Sequence, residues 1–202
     1  MMTIELIFHI MLNMLVSDNI KPQYLADPAV QEHLHNVAEA IYYKGGGVNP
    51  HRLIALAYKE TRFGYKPRDL DNGVACGVYQ QVPSTALREV TCEQLVNDVN
   101  LATELAVLYI QYVDRRWGGS EDLSQRMCHY FSGNVCGDTD SRDYVRKYRK
   151  ALSKSKEEYF GMYCEGDDEI SDRYIEELSQ EILLNAVYRN QKAKARKAKS
   201  RD

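Results

Sequence analysis

Asn49-Pro50-His51-Arg52-Leu53-Ile54-Ala55-Leu56-Ala57-Tyr58-Lys59-Glu60 is the stretch on which the reading of this chain turns. Asn49 is a helix cap, and Pro is well placed just after it because its missing N–H would have no helical partner there. Leu53, Ile54, Ala57 and Tyr58 recur at helical spacing and mark one apolar face. Glu60 stands in the last turn, before Phe63 and a loop that opens on Gly64. An acid catalyst needs such a place, an apolar and partly dry surrounding that favours the proton-bearing carboxyl. Most helix-end glutamates are solvated surface groups, so Glu60 takes a role only from its neighbours in the chain.

Helix signals continue on both sides of this stretch. Asp27-Pro28 repeats the start signal, and Val30, Leu34, Val37 and Ile41 keep helical spacing up to Gly45-Gly46-Gly47. Periodicity then vanishes from Gly64 to about Val82, where Gly, Asp, Asn and Pro accumulate, so an irregular loop or a small sheet is expected there. Pro83-Ser84 starts a short helix. From about Gln94 to Trp117 one continuous helix is predicted, on the apolar stripe Leu95, Val99, Ala102, Leu105, Ala106, Tyr109, Tyr112 and Val113. Further helices are predicted from Ser120 to Gly133, from Ser141 to Leu152 and from Ser171 onward, with Lys154 to Gly166 as a charged joint. The expected fold is mainly α: a helical domain over 45–152 with a small irregular or β loop region at about 64–82. An N-terminal helical extension over 1–44 and an acidic helix with a basic tail over 153–202 flank it.

Three segments, in order, carry a resemblance. They are Ala55 to Phe63, then Gly77-Val78-Tyr79-Gln80-Gln81-Val82-Pro83-Ser84-Thr85-Ala86, then His129-Tyr130-Phe131-Ser132-Gly133-Asn134. Together they resemble the soluble lytic transglycosylase domain and its relative, goose-type lysozyme, over roughly residues 45 to 152. The pattern there is a Glu-Ser/Thr pair, then Gly-Leu-Met-Gln before Pro-Ser-Thr-Ala, then Ala-Tyr-Asn-Ala-Gly. The resemblance implies a lysozyme-like fold and cleavage of peptidoglycan glycan strands between MurNAc and GlcNAc. It implies Glu60 as the catalytic acid, and Thr61, Gly77, Tyr79, Gln80, Tyr130 and Tyr144 as substrate-binding residues. Tyr79 stands where the family has Met, and Phe131 where it has Asn.

Two mechanisms stay open on this reading. In the first, Glu60 acts alone as acid and then base, and the sugar's own 6-hydroxyl closes a 1,6-anhydro ring. In the second, Asp71 is a second carboxylate that lets water attack, which would make the chain a muramidase. Asp71-Asn72-Gly73 is also strong turn chemistry. A rival of another class is a structural tail or injection-machine subunit that keeps the fold with little activity.

Charge and cysteines bound the rest. Lys192 to Arg201 holds six basic residues. Setting these and Asp202 aside from the chain's 26 basic and 29 acidic residues leaves 20 against 28 in 1–191, an acidic body with a basic tail. Such a tail suits docking to protein or contact with nucleic acid. Five cysteines, with no CxxC pair, read as reduced and mostly buried thiols, and whether Cys128 and Cys136 meet across a loop is left open. No metal cluster or cofactor motif is read. Met1 to Val16 is apolar but interrupted by Glu5, His9 and Asn13, so it reads as neither a signal peptide nor a membrane span. The expectation is a protein made in the host cytoplasm and carried in a phage virion. It would act on the host periplasm or cell wall during genome ejection, with residues 1–20 and 165–202 docking to other virion or injection-machine proteins.

Overall fold

The structure is a computed structural model and describes residues 2–18, 20–64, 74–118, 123–133 and 136–163. The chain divides into two compact units, Met1–Tyr159 and Phe160–Asp202, and the fold described here is that of the first. The expected helix from Ser171, the basic tail, Cys164 and Asp71 lie outside the described residues. The described fold is mainly α, with 74% of residues helical. Its helices are α1 (Ile4–Val16), α2 (Pro22–Leu25), α3 (Pro28–Lys44), α4 (Pro50–Thr61), α5 (Cys92–Asn97), α6 (Val99–Trp117), α7 (Leu123–Ser132) and α8 (Thr139–Tyr163), with a 3-10 turn at Pro83–Thr85. None of them is long and apolar enough to cross a membrane.

Caps fix the boundaries that matter for the site. The Asp27 side chain accepts from the Ala29 N–H at the start of α3, and Asn49 accepts from the His51 N–H at the start of α4. Every residue of α4 from His51 to Tyr58 is buried, so α4 is the central helix rather than an amphipathic surface one. It packs against α1, α3 and α6, and α8 reaches it through side chains. α1 inserts Ile7, Ile10, Met11, Met14 and Leu15, all fully buried, against α3 and α4. Segments 1–44 and 45–152 thus share one compact unit and one core.

Two expected helix boundaries move. The continuous helix predicted from Gln94 to Trp117 is broken at Asp98, whose φ of −118° and ψ of 93° are extended. The Asp98 side chain accepts from the Leu101 N–H at 2.9 Å and caps a new helix, a competition between short acid and backbone that hydrophobic periodicity does not register. The charged joint predicted from Lys154 is instead helical through Tyr163. Ser155 and Tyr159 are buried there against His51, so packing carries the helix through a charged sequence.

The cysteines correct a further expectation. Cys76–Cys92 and Cys128–Cys136 are disulfides, with Cα separations of 5.4 and 5.8 Å. A tight turn brings Cys76 to the first residue of α5, and the chain after α7 doubles back to Cys128. Spacings of 16 and 8 residues match no short motif, which is why counting cysteines did not reveal the pairs.

Two polar clusters inside the core join helices. Arg52 donates to Asp114 through two nitrogens at 2.6 and 3.0 Å, and Arg126 approaches the same carboxylate at 3.3 Å, joining α4, α6 and α7. His51 Nδ1 lies 2.9 Å from Ser155 Oγ. Burial, and after it the charge of Lys156, pushes the His51 imidazole down to about 4 from its ordinary 6.5. Between those two pH values the unfolded chain binds the proton and the folded one does not. Stability is therefore complete above the unfolded value and falls as pH drops through this window, by about 3 kcal/mol at most. Thermal unfolding should show the midpoint of the wild type falling between pH 7 and pH 4.5. The fall should be shallower in His51→Gln, and parallel pH profiles would refute the assignment.

Candidate active site

The end of α4 is built to stop abruptly. Arg62, Phe63 and Gly64 have φ of 54°, 60° and 87°, three successive left-handed residues that turn the chain out of the helix. Non-glycine residues pay for that conformation, and here the surroundings hold them in it. The Arg62 guanidinium lies on the Tyr58 ring and binds Asp18 at 2.6 Å, and the Phe63 carbonyl is met by His33 Nε2 at 2.7 Å. Glu60 is thereby fixed at the mouth of a cleft of about 420 Å³.

The expected site residues fall into two groups. Glu60, Gln80 and Tyr130 line the cleft, and the Tyr144 hydroxyl on α8 donates to Glu60 Oε1 at 2.6 Å. Thr61, Gly77 and Tyr79, expected to bind substrate, stand behind the wall instead. Thr61 is buried: its hydroxyl donates to the Val78 carbonyl at 2.8 Å and accepts from the Gly64 N–H at 2.8 Å, bracing the helix end against the Gly77–Gln80 turn. Tyr79 is fully buried, its hydroxyl accepting from Thr103 and its carbonyl accepting from the Tyr130 hydroxyl at 3.2 Å. Gly77 adopts φ +73°. Asp71 lies outside the described residues.

The turn itself is locked at its base. Cys76 and Gln81 exchange backbone hydrogen bonds at 2.8 and 2.9 Å, and the Cys76–Cys92 disulfide ties that bridge to α5. Gln80 takes φ 48° and its amide donates to the Gly77 carbonyl, which presents it at the cleft. Tyr130 lines the same cleft, packed edge-on to Tyr109 of α6 with centroids 5.2 Å apart. Phe131, half exposed at the rim, stacks on Tyr144 at 4.7 Å.

The electrostatics follow from this packing. Tyr130 and Tyr144 ionise well above the ordinary phenol range, first because they are buried and then because Glu60's negative charge opposes a second anion. Both phenols stay neutral donors. Among the described residues that line the cleft, Glu60 is the single carboxylate.

No protein-family model matches this chain, and no curated protein or solved structure matches it either.

Three cleft residues escaped the sequence reading. Lys59 binds Glu60 Oε1 at 3.3 Å and sits 3.4 Å from the Tyr144 ring centroid. Tyr109 reads as one more position of the apolar stripe of α6, and its phenol is the only hint that the stripe meets water at that point. Leu87, half exposed on the cleft lining, follows the 3-10 turn with no periodic signal. Behind the wall, His129 stacks on Trp117 at 4.1 Å, 7° from parallel. Sulfur and nitrogen atoms of Cys128, His129 and Cys136 lie within 4.8 Å of one another, and both sulfurs are committed to the disulfide.

Proposed function

We propose that this chain is a lytic transglycosylase that cleaves the MurNAc-GlcNAc β-1,4 bond of peptidoglycan with Glu60 as the single acid and base. The observation that carries the reading is a cleft carboxylate, the single one among the described lining residues, held by a neutral phenol: Tyr144 donates to Glu60 Oε1 at 2.6 Å in a wall of aromatic, aliphatic and amide groups. The Tyr144 hydroxyl and the Lys59 ammonium both bond Oε1, and we assign the other oxygen, Oε2, to the sugar.

The cycle then needs no second acidic residue. Glu60 Oε2 gives its proton to the glycosidic oxygen as the bond to C1 breaks, and the GlcNAc leaves as its 4-alcohol. The cation at C1 is attacked by the muramic acid 6-hydroxyl oxygen, whose proton returns to Oε2. A 1,6-anhydro ring is formed and Glu60 is restored. Gln80 and Tyr130 line the floor and the wall where the sugar lies, and Phe131 with Leu87 supplies apolar rim for the sugar's C–H faces. The two disulfides support work outside a reducing cytoplasm, as the cell-wall substrate requires.

The test is the mass of the muropeptides released from purified peptidoglycan. Products one water lighter than the hydrolytic ones, with no reducing end, are expected. Reducing ends would replace this reading with a muramidase that has a second carboxylate, and no release at all would end the enzymatic reading.

A further inference from the structure

We infer that Lys59 is a positioning residue that stabilises the anion which the acid step leaves on Glu60. The inference rests on the proposed reaction and deepens it. The Lys59 and Glu60 side chains are only 10% and 11% exposed, and the ammonium lies 3.3 Å from Oε1. An ammonium so poorly hydrated is unfavourable unless it is paired. Its surroundings pair it twice over: the carboxylate on one hand, and the Tyr144 ring at 3.4 Å with the Phe131 ring at 5.7 Å on the other. Neighbouring residues of a helix do not ordinarily face one another. Here the aromatic pair on α7 and α8 draws the Lys59 head across to the carboxylate of the next residue.

The consequence is chemical. When Glu60 protonates the leaving oxygen it changes from neutral to anionic, and an ammonium already in place favours that change. Stabilisation of this kind grows toward the transition state and so accelerates the step rather than tightening ground-state binding. No other described cation takes its place. The titratable groups facing Glu60 from other elements are Tyr144 of α8 and Tyr130 of α7, with Tyr109 of α6 further along the wall. All are phenols that burial keeps neutral. Arg62, two residues on, is occupied by Asp18 and the Tyr58 ring.

Lys59→Met keeps the aliphatic stem and removes the charge. The expected result is a loss of about tenfold or more in kcat with KM little changed. Lys59→Arg should restore kcat, and Lys59→Gln serves if the Met variant does not fold. An unchanged kcat in a folded uncharged variant, a loss confined to KM, or a loss that Lys59→Arg does not restore overturns the role of Lys59. A wild-type chain that releases no muropeptides overturns the proposed reaction instead.

Discussion

Glu60→Gln is expected to lower glycan cleavage by at least about 10³-fold while leaving the fold intact, because general acid–base catalysis of this kind contributes on that order. The amide can neither give the proton to the glycosidic oxygen nor take one from the 6-hydroxyl, so both halves of the cycle stop. Shape is preserved: the Gln carbonyl still accepts the Tyr144 hydroxyl that reaches Glu60 Oε1 at 2.6 Å. Clearing of peptidoglycan in a zymogram and release of muropeptides measure the loss, and a retained cooperative thermal transition shows that it is chemical. Undiminished clearing by the Gln variant would remove Glu60 from the mechanism and, with it, the proposed function.

The second large effect is on stability. A Cβ on Gly77 would lie 2.4 Å from the Leu95 carbonyl oxygen and 3.0 Å from its carbon, both backbone atoms of α5. The position also has φ +73°, where a side chain is strained even in open space. Neither side can retreat easily, since Cys76 beside the glycine is bonded to Cys92 at the start of the same helix. Gly77→Ala should cost about 3 kcal/mol or more and lower the melting midpoint by roughly 6–12 °C. It should also weaken cleavage, because the turn carries Gln80 and the Tyr79 carbonyl that holds Tyr130. A Gly77→Ala protein with wild-type midpoint and activity would show that this turn is looser than described.

Particular residues show how far the sequence could lead. Asn49-Pro50 and the apolar face after it placed Glu60 at a helix end, and the motif order brought Gln80 and Tyr130 to one cleft. A motif gives position along the chain but not the direction in which a side chain points. Thr61 follows Glu60 on a helix and therefore faces about 100° away, into the core. Gln80, at φ 48°, is swung outward while Tyr79 beside it is turned in. Lys59 was illegible for a different reason. What draws it to Glu60 is the ring of Tyr144, some eighty residues downstream, and no local pattern records such a contact. The disulfides likewise depend on where a turn and a doubled-back loop bring their ends.

α8 has a bearing on the order of events during synthesis. Its Tyr144 bonds Glu60 across 84 residues, and its Lys154 donates to the Met14 carbonyl and to Asp18 across 140 and 136. Contacts this distant along the chain form only after long loops close, and an emerging polypeptide cannot make them early. A ribosome-bound chain that ends before residue 139 already holds Glu60, Gln80 and Tyr130, yet lacks the phenol that bonds the acid. The same helix that completes the acid's hydrogen bond also fastens α1, so one late arrival seals the core and arms the cleft together.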